Sequence, residues 1–405
     1  MSTTVHMTPF EVEQWMDKYQ PGAKYDLGET CAASVSVEDL KEISDDKSGN
    51  IVKLSKKLTY GEIRGSQELR SNLAGLYSVR TPNPLPSENI LITPGAIAAN
   101  FLVLYTLIKK GDHVICHHPT YQQLYEVPAS FGAEVSLWRA DEQKKWKLDI
   151  EELKGLLRPT TKLIIINNPN NPTGQIIPKS QLLEIVEFCR EHDLILMSDE
   201  VYRPLFHSIS PADPEFPPSV MSMGYSKTIT TGSLSKAYSL AGIRVGWIAS
   251  RSRDIIESLA SGRDYTNISV SQIDDQIATY ALSRNCIHNL LSRNIKLAKS
   301  NLDMLEQFVD QHRWSCHWSR PIAGTTAFVK FMKEGRAIND VEFCKLLIEQ
   351  KGVLFCPGSL CFGGSKEFKG YVRIGFVGEA DTVKQGLSHL TAFMQDSFVQ
   401  VSLAT

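Results

Sequence analysis

The sequence predicts an α/β protein, with a large domain built on a mostly parallel seven-stranded sheet sandwiched by helices and a smaller α+β domain beside it. Three observations carry this. The chain has 405 residues, more than one ordinary core supports. Seven short β-rich runs, at 89–93, 113–117, 134–138, 163–167, 195–198, 228–233 and 245–249, alternate with helical patterns, and several are continuously apolar, as in strands covered on both faces. Polar and glycine-containing stretches follow the ends of those runs, where open α/β sheets place their sites.

Taken in order, Thr8-Pro-Phe-Glu11 has a capping-box pattern with proline at the first helical position. It predicts a helix that starts there, carries Phe10, Val12, Trp15 and Met16, and ends near Tyr19 before Pro21-Gly22. Tyr25-Asp-Leu-Gly-Glu-Thr30 reads as a short extended piece with a glycine turn, and from Leu58 to Tyr77 a glycine-rich turn precedes a helix with Leu69, Leu73 and Leu76 on one face. Between Ile90 and Ile108 the chain is largely apolar, but Pro94, Gly95 and Asn100 interrupt it, so a strand followed by a buried helix fits better than a membrane span. Past Gln272 the pattern turns helical, and Leu291, Ile295, Ala298, Leu302, Leu305 and Val309 form the stripe of a long bridging helix. Strand patterns near 324–331, 353–355 and 371–376 and helical ones near 340–351 and 379–394 complete the chain. The predicted division is a large domain at 46–285, with 1–45 and 286–405 making the small one.

Composition excludes several classes. With 43 basic against 45 acidic residues, nothing favours nucleic acid or a membrane surface as partner. Eight cysteines without a C-x-x-C pair read as reduced thiols of a cytoplasmic protein, Cys356 and Cys361 included. His6, Glu11 and Glu13 with no apolar core predict no signal peptide. Cys116-His117-His118 alternate between the two faces of an extended run, so no metal site is expected.

The chemistry centres on one lysine. Lys236 follows the β-branched run 228–233, and Arg244 opens the next apolar run. A charge between two buried strands needs a resolution, and one is covalent: a lysine held as a Schiff base with a carbonyl cofactor has no free ammonium. Ser233-Leu-Ser235-Lys236 with Gly242-Ile-Arg244-Val-Gly-Trp247 resembles the lysine motif of the class I/II (fold type I) pyridoxal-phosphate aminotransferases. Asn167-Asn-Pro-Asn-Asn-Pro-Thr-Gly174, Ser198-Asp-Glu-Val-Tyr202 and Tyr371-Val-Arg-Ile-Gly375 resemble that family in the same order. The resemblance implies pyridoxal 5′-phosphate as cofactor, an L-amino acid substrate with an oxo-acid acceptor, and a homodimer with shared sites.

It also implies roles. Lys236 is the Schiff-base residue and, once freed, a proton shuttle. Asp199 is the carboxylate for the ring nitrogen, with Tyr202 and Asn171 donating to the ring's phenolate oxygen. Gly95, Ala96 and Ile97, at a strand-to-helix junction, offer N–H groups to the phosphate, with Ser233 and Arg244 beside them. At Ile97 the family commonly has a hydroxyl residue, so one phosphate contact is expected to be missing. Tyr121 matches the stacking aromatic, Arg373 the α-carboxylate receptor, and Tyr60 the segment that reaches the neighbouring subunit's phosphate. Gly28 brings backbone near the substrate.

Two other readings have sequence support. Ser233-Leu-Ser-Lys236 also fits the Ser-x-x-Lys pattern of serine acyl-transfer enzymes, but the companion motifs are missing. A non-catalytic protein on the same fold would not need Lys236 and Asp199. Within the family, Leu27-Gly-Glu-Thr30 followed by Ser36-Val-Glu-Asp-Leu40 looks closer to capreomycidine synthase-like members, making a lyase or cyclase acting on a basic amino acid the runner-up to transamination. Glu29 and Thr30 are then candidates to line the pocket, and Glu29 favours a basic substrate. Arg263 pulls the other way, as a cation able to meet an acidic side chain across the dimer.

Overall fold

The computed structural model describes residues 7–79 and 81–405. The expected absence of a signal peptide rests partly on residues 1–6, which lie outside the described residues.

All seven predicted runs are strands of one sheet: β1 (Ile90–Thr93), β2 (His113–His118), β3 (Glu134–Arg139), β4 (Thr161–Asn167), β5 (Ile195–Asp199), β6 (Thr228–Ser233) and β7 (Gly246–Ser250). Their order is β1-β7-β6-β5-β4-β2-β3, with β7 antiparallel to both neighbours and every other pair parallel. Alternate residues of each strand feed different cores. Ile92, Ile164, Ile166 and Leu196 enter one apolar cluster, and Leu91, Leu163, Ile165 and Met197 the other. Both faces are therefore buried, which is why these strands read as unbroken apolar runs. Burying each such aliphatic side chain contributes roughly 1.5–3 kcal/mol.

The apolar stretch after Thr93 is a helix, α2 (Gly95–Leu107), whose Leu102, Val103 and Leu104 are buried in the second core. Among the described residues no helix is long and apolar enough to cross a membrane. A second antiparallel sheet holds β8 (Cys316–Trp318), β9 (Thr326–Lys333), β10 (Arg336–Ala337), β11 (Cys356–Pro357) and β12 (Tyr371–Gly375). Tyr25–Asp26 pairs parallel with Val353–Leu354, so the N-terminal segment packs with the C-terminal third.

Two elements depart from expectation. The first helix, α1 (Glu11–Tyr19), starts three residues after Thr8, with Phe10 as an N-cap that makes no side-chain cap bond. Gln122 takes over that work: its Oε1 accepts from Glu11 N at 2.9 Å and its Nε2 donates to Pro9 O at 2.8 Å. A long-range partner has replaced the local capping box, and it pins α1 to the loop after β2.

The bridging helix, α3 (Ile287–Gln311), buries Ala298, Leu302, Leu305 and Val309 of the expected stripe, but in its first half Leu290 and Asn294 are the buried residues and Leu291 and Ile295 are half-buried against the core. Asn294 Nδ2 donates to Ala237 O and to Ser239 Oγ, both at 2.9 Å. The helix turns this amide inward to satisfy the backbone just after Lys236, at the expense of one apolar row.

Candidate functional site

The sheet gathers its polar residues at one edge. Register sets Asn167 beside Asp199, Asp199 beside Thr231, and both Ser233 and Thr93 beside Gly246. A cavity of about 310 Å³ opens over that edge, lined on the other side by α1, the Gly28–Cys31 turn and Arg373. The cavity lining includes Lys236, Asp199, Tyr202, Asn171, Ala96, Ile97, Tyr121, Ser233, Arg244, Gly28, Glu29 and Arg373 from the sequence reading, with Gly95 immediately beside it. Tyr60 is not in it.

Lys236 leaves β6 on a loop held from several sides. Leu234 N bonds Val245 O at 3.0 Å, and Lys236 O accepts from Ala32 N at 3.1 Å. Its Nζ stands 3.3 Å from Glu29 Oε1 and 3.5 Å from Cys31 Sγ. Burial pulls this amine down, while Cys31, Glu29, Tyr202 and Tyr121 push it up, and the net is well above the ordinary lysine range. Cys31 is itself pushed up to about 11, chiefly by burial, so at neutral pH it is an uncharged thiol. Glu29 is then the charge that faces the ammonium. Lys236 in turn is the largest influence holding the Glu29 carboxyl far below its usual range.

Asp199 closes β5, 3% exposed. Oδ2 accepts from Asn100 Nδ2 at 3.0 Å and Oδ1 from Val201 N at 3.1 Å. Burial raises its pKa against these two bonds, and among the described residues no cation pairs with it. A buried carboxylate so placed is half of an interaction whose cationic half is missing.

The junction between β1 and α2 is a built anion cradle. Pro94 makes no side-chain cap bond, so no side chain closes the helix N-terminus. Gly95 has φ +83°, and a Cβ there would stand 2.7 Å from Arg244 Nη2. At Gly246 a Cβ would stand 2.6 Å from Ala96 N. Arg244 Nη1 is tied to Ala241 O at 2.9 Å and to Ser235 Oγ at 3.3 Å, and Ser235 Oγ lies 2.8 Å from Ser233 Oγ.

Across the cavity, Arg373 is 3% exposed on β12. Nη2 donates to Gly28 O at 2.8 Å, Nη1 lies 3.5 Å from Asn171 Oδ1, and Nε has no partner. Gly28 is held there because Asp26 Oδ1 accepts from Gly28 N and Glu29 N at 2.9 and 3.0 Å. Tyr121 OH donates to Glu13 Oε1 at 2.7 Å, and its ring lies 4.8 Å from that of Phe10.

Sequence reasoning passed over Glu13, Cys31, Asn100, Asn167 and Ser235, all of which line the cavity. Asn100 had a signal, as an amide in an otherwise apolar helix; Glu13 had none, because an acid on an amphipathic helix reads as solvated surface. One expectation needs correction. Arg263 is 1% exposed and donates to Ile63 O, so it is a post beneath that loop and not a cation offered to a substrate. Tyr60 is 80% exposed on the surface of its own chain. His118, from the histidine pair, bonds Glu367 Oε2 at 2.9 Å, and Cys116 is buried in the second core.

The residues fit pyridoxal phosphate on two structural counts: a buried acid with no cation paired to it among the described residues, and a cradle that a Cβ at Gly95 or Gly246 would fill. The chain resembles capreomycidine synthase of Streptomyces vinaceus, 25% identical over 94% of this chain and 92% of that one. It resembles aspartate aminotransferase of Thermotoga maritima, 25% identical over 84% of each. A crystal structure of a PLP-dependent aminotransferase from Streptococcus suis superposes with a TM-score of 0.87 at 39% identity, covering 96% of this chain and 98% of that one. Residues 31–390 match the family described as Aminotransferase class I and II, and the chain belongs to that family of pyridoxal-phosphate enzymes.

Proposed function

We propose that the protein is an aminotransferase that moves the amino group of an L-amino acid to an oxo acid, using Lys236. The observation that carries the reading is the meeting of Lys236, Asp199, Arg244 and Arg373 in one cavity. Pyridoxal phosphate, when bound, supplies an electron sink that makes the substrate α-proton labile. Arg244, Ser233 and the N–H groups of Gly95, Ala96 and Ile97 hold its phosphate. Asp199 keeps the proton on the ring nitrogen, Asn171 and Tyr202 donate to the ring oxygen, and Tyr121 covers the ring's outer face. Lys236 Nζ would hold the cofactor covalently and, as a free amine, would carry the α-proton.

Arg373 receives the α-carboxylate. Arg373→Ala lowers kcat/KM by about 2–5 kcal/mol, because one partner of a buried charge pair is lost. Arg373→Lys recovers little, since a point charge does not replace a bidentate fork. Steady-state kinetics that left KM and kcat within threefold of wild type would remove this role.

The same reading makes the protein a homodimer in a cytoplasmic setting, with 46–285 carrying the cofactor and 1–45 and 286–405 closing over it. Leu54, Leu58, Tyr60 and Ile63 are exposed, and Gln272 Nε2 bonds Thr59 O beside the equally exposed Tyr265 and Ile268. Such a patch is partner surface, and Tyr60 has a role only in the other chain's site. All eight cysteines are free, which suits a reducing compartment. Sedimentation equilibrium is expected to give a dimer. Mixing Tyr60→Phe with Lys236→Ala chains is expected to give hybrid dimers in which one site carries both defects and the other neither; sites built from single chains would give neither kind.

A second reading, elimination or cyclisation on a basic amino acid, is favoured by the full-length similarity to capreomycidine synthase. Incubating the enzyme with an amino-acid panel decides between them: oxo-acid formation with acceptor consumption supports transamination, and a rearranged product without acceptor consumption overturns it.

A further inference from the structure

The cavity contains more negative charge than the proposed reaction uses. Its lining has three carboxylates, Glu13, Glu29 and Asp199, and three cations, Lys236, Arg244 and Arg373. In the proposed reaction Asp199 serves the ring nitrogen, Arg244 the phosphate and Arg373 the α-carboxylate. With the cofactor bound, Lys236 would no longer be a free ammonium, so Glu29 would lose the ion pair it makes at 3.3 Å. Glu13, exposed at the cavity rim, and Glu29, whose side chain is 42% exposed, are then carboxylates with no cationic side-chain partner among the described residues.

Each is held as an acceptor by means that survive that change. Glu29 Oε1 accepts from the backbone N–H of Thr30 at 2.6 Å and of Cys31 at 2.9 Å. Glu13 takes the Tyr121 hydroxyl at 2.7 Å, a neutral donor that orients the carboxylate without cancelling its charge. None of these three bonds requires the lysine. The cavity is independently marked as a receptor by Arg373, buried and with its Nε unpartnered. Arg373 Nη2 holds Gly28 O at 2.8 Å, so the α-carboxylate site and Glu29 are neighbours along the chain. Glu13, on α1, lines the same cavity from a different element.

We propose that Glu13 and Glu29 together receive a cationic group at the far end of the substrate side chain, making the substrate an arginine-type or lysine-type amino acid. This deepens the aminotransferase reading and rests on Arg373 binding the α-carboxylate. A side chain ending in a cation supplies the charge that the two acids lack, and a planar guanidinium has donors enough for both. An acidic side chain would meet two carboxylates of its own sign.

The test compares L-arginine with L-citrulline, its neutral isostere, on the holoenzyme. The specificity-constant ratio is expected to exceed about tenfold in wild type and to fall by about ten- to a hundredfold in Glu13→Gln and in Glu29→Gln. Dissociation constants from visible-absorbance titration without acceptor are expected to shift in parallel. General damage from either substitution cancels in the ratio, because the two substrates share every other group. Citrulline handled as well as arginine, glutamate preferred to both, or a ratio unmoved in both variants overturns the proposal while leaving the aminotransferase reading intact. No response to any amino acid, including alanine and glutamate, overturns the aminotransferase reading and this proposal with it.

Discussion

Lys236→Ala is expected to lower turnover by at least about 10⁴-fold, since it removes both the covalent anchor and the base that moves the α-proton. The fold should survive. Lys236 is a quarter exposed on its side chain, and the loop's anchoring runs through bonds from Leu234 N, Ala32 N and the Asn294 side-chain amide that alanine keeps. Circular dichroism and the thermal midpoint are expected to match wild type. Added small primary amines should restore a little activity, because they supply the missing nitrogen from solution. A variant with wild-type turnover would place the chemistry on another residue.

Asp199→Asn should separate catalysis from stability. Activity is expected to fall by about 10²–10³-fold, the usual loss when one preorganised electrostatic group is removed. Stability moves the other way in the cofactor-free protein. Burial raises the folded-state pKa of Asp199, so between the ordinary aspartate value and that raised value the native state binds more protons than the unfolded chain. Stability from this group is therefore lost as pH rises through that window. Asparagine has no such loss, and at pH 7 the cofactor-free variant should melt no lower than wild type. With cofactor bound the order should invert, because wild-type Asp199 then has its cation. Thermal scans of both proteins with and without cofactor read this out, and an unchanged order would show that Asp199 does not meet the ring nitrogen.

How much was legible in the sequence depended on whether a residue's neighbours were local. The seven strands were readable because both faces are covered, leaving unbroken apolar runs such as Leu163–Ile166 and Leu196–Met197. Lys236, Asp199 and Arg373 stood out because a charge at the end of such a run needs a reason. The start of α1 was misplaced because its cap is Gln122, 111 residues from Glu11. Most of the inward stripe of α3 is legible, but its first half is shifted because Asn294 serves a carbonyl at Ala237, which helical periodicity does not register. Glu13 had no local signal, since only the Tyr121 hydroxyl brought over from the β2 loop distinguishes it from other surface acids. For Arg263 the neutralising Asp264 is legible beside it, but the acceptor that buries it, Ile63 O, lies 200 residues away. The role of Tyr60 depends on a second chain, which local patterns in one sequence do not register.

The central claim is that Lys236 carries the cofactor. Purified protein reduced with borohydride, digested and mapped by mass spectrometry is predicted to yield one phosphopyridoxyl group, on the peptide containing Ser235-Lys236-Ala237. The label on any other lysine, or a protein that yields none after incubation with pyridoxal phosphate, would contradict it.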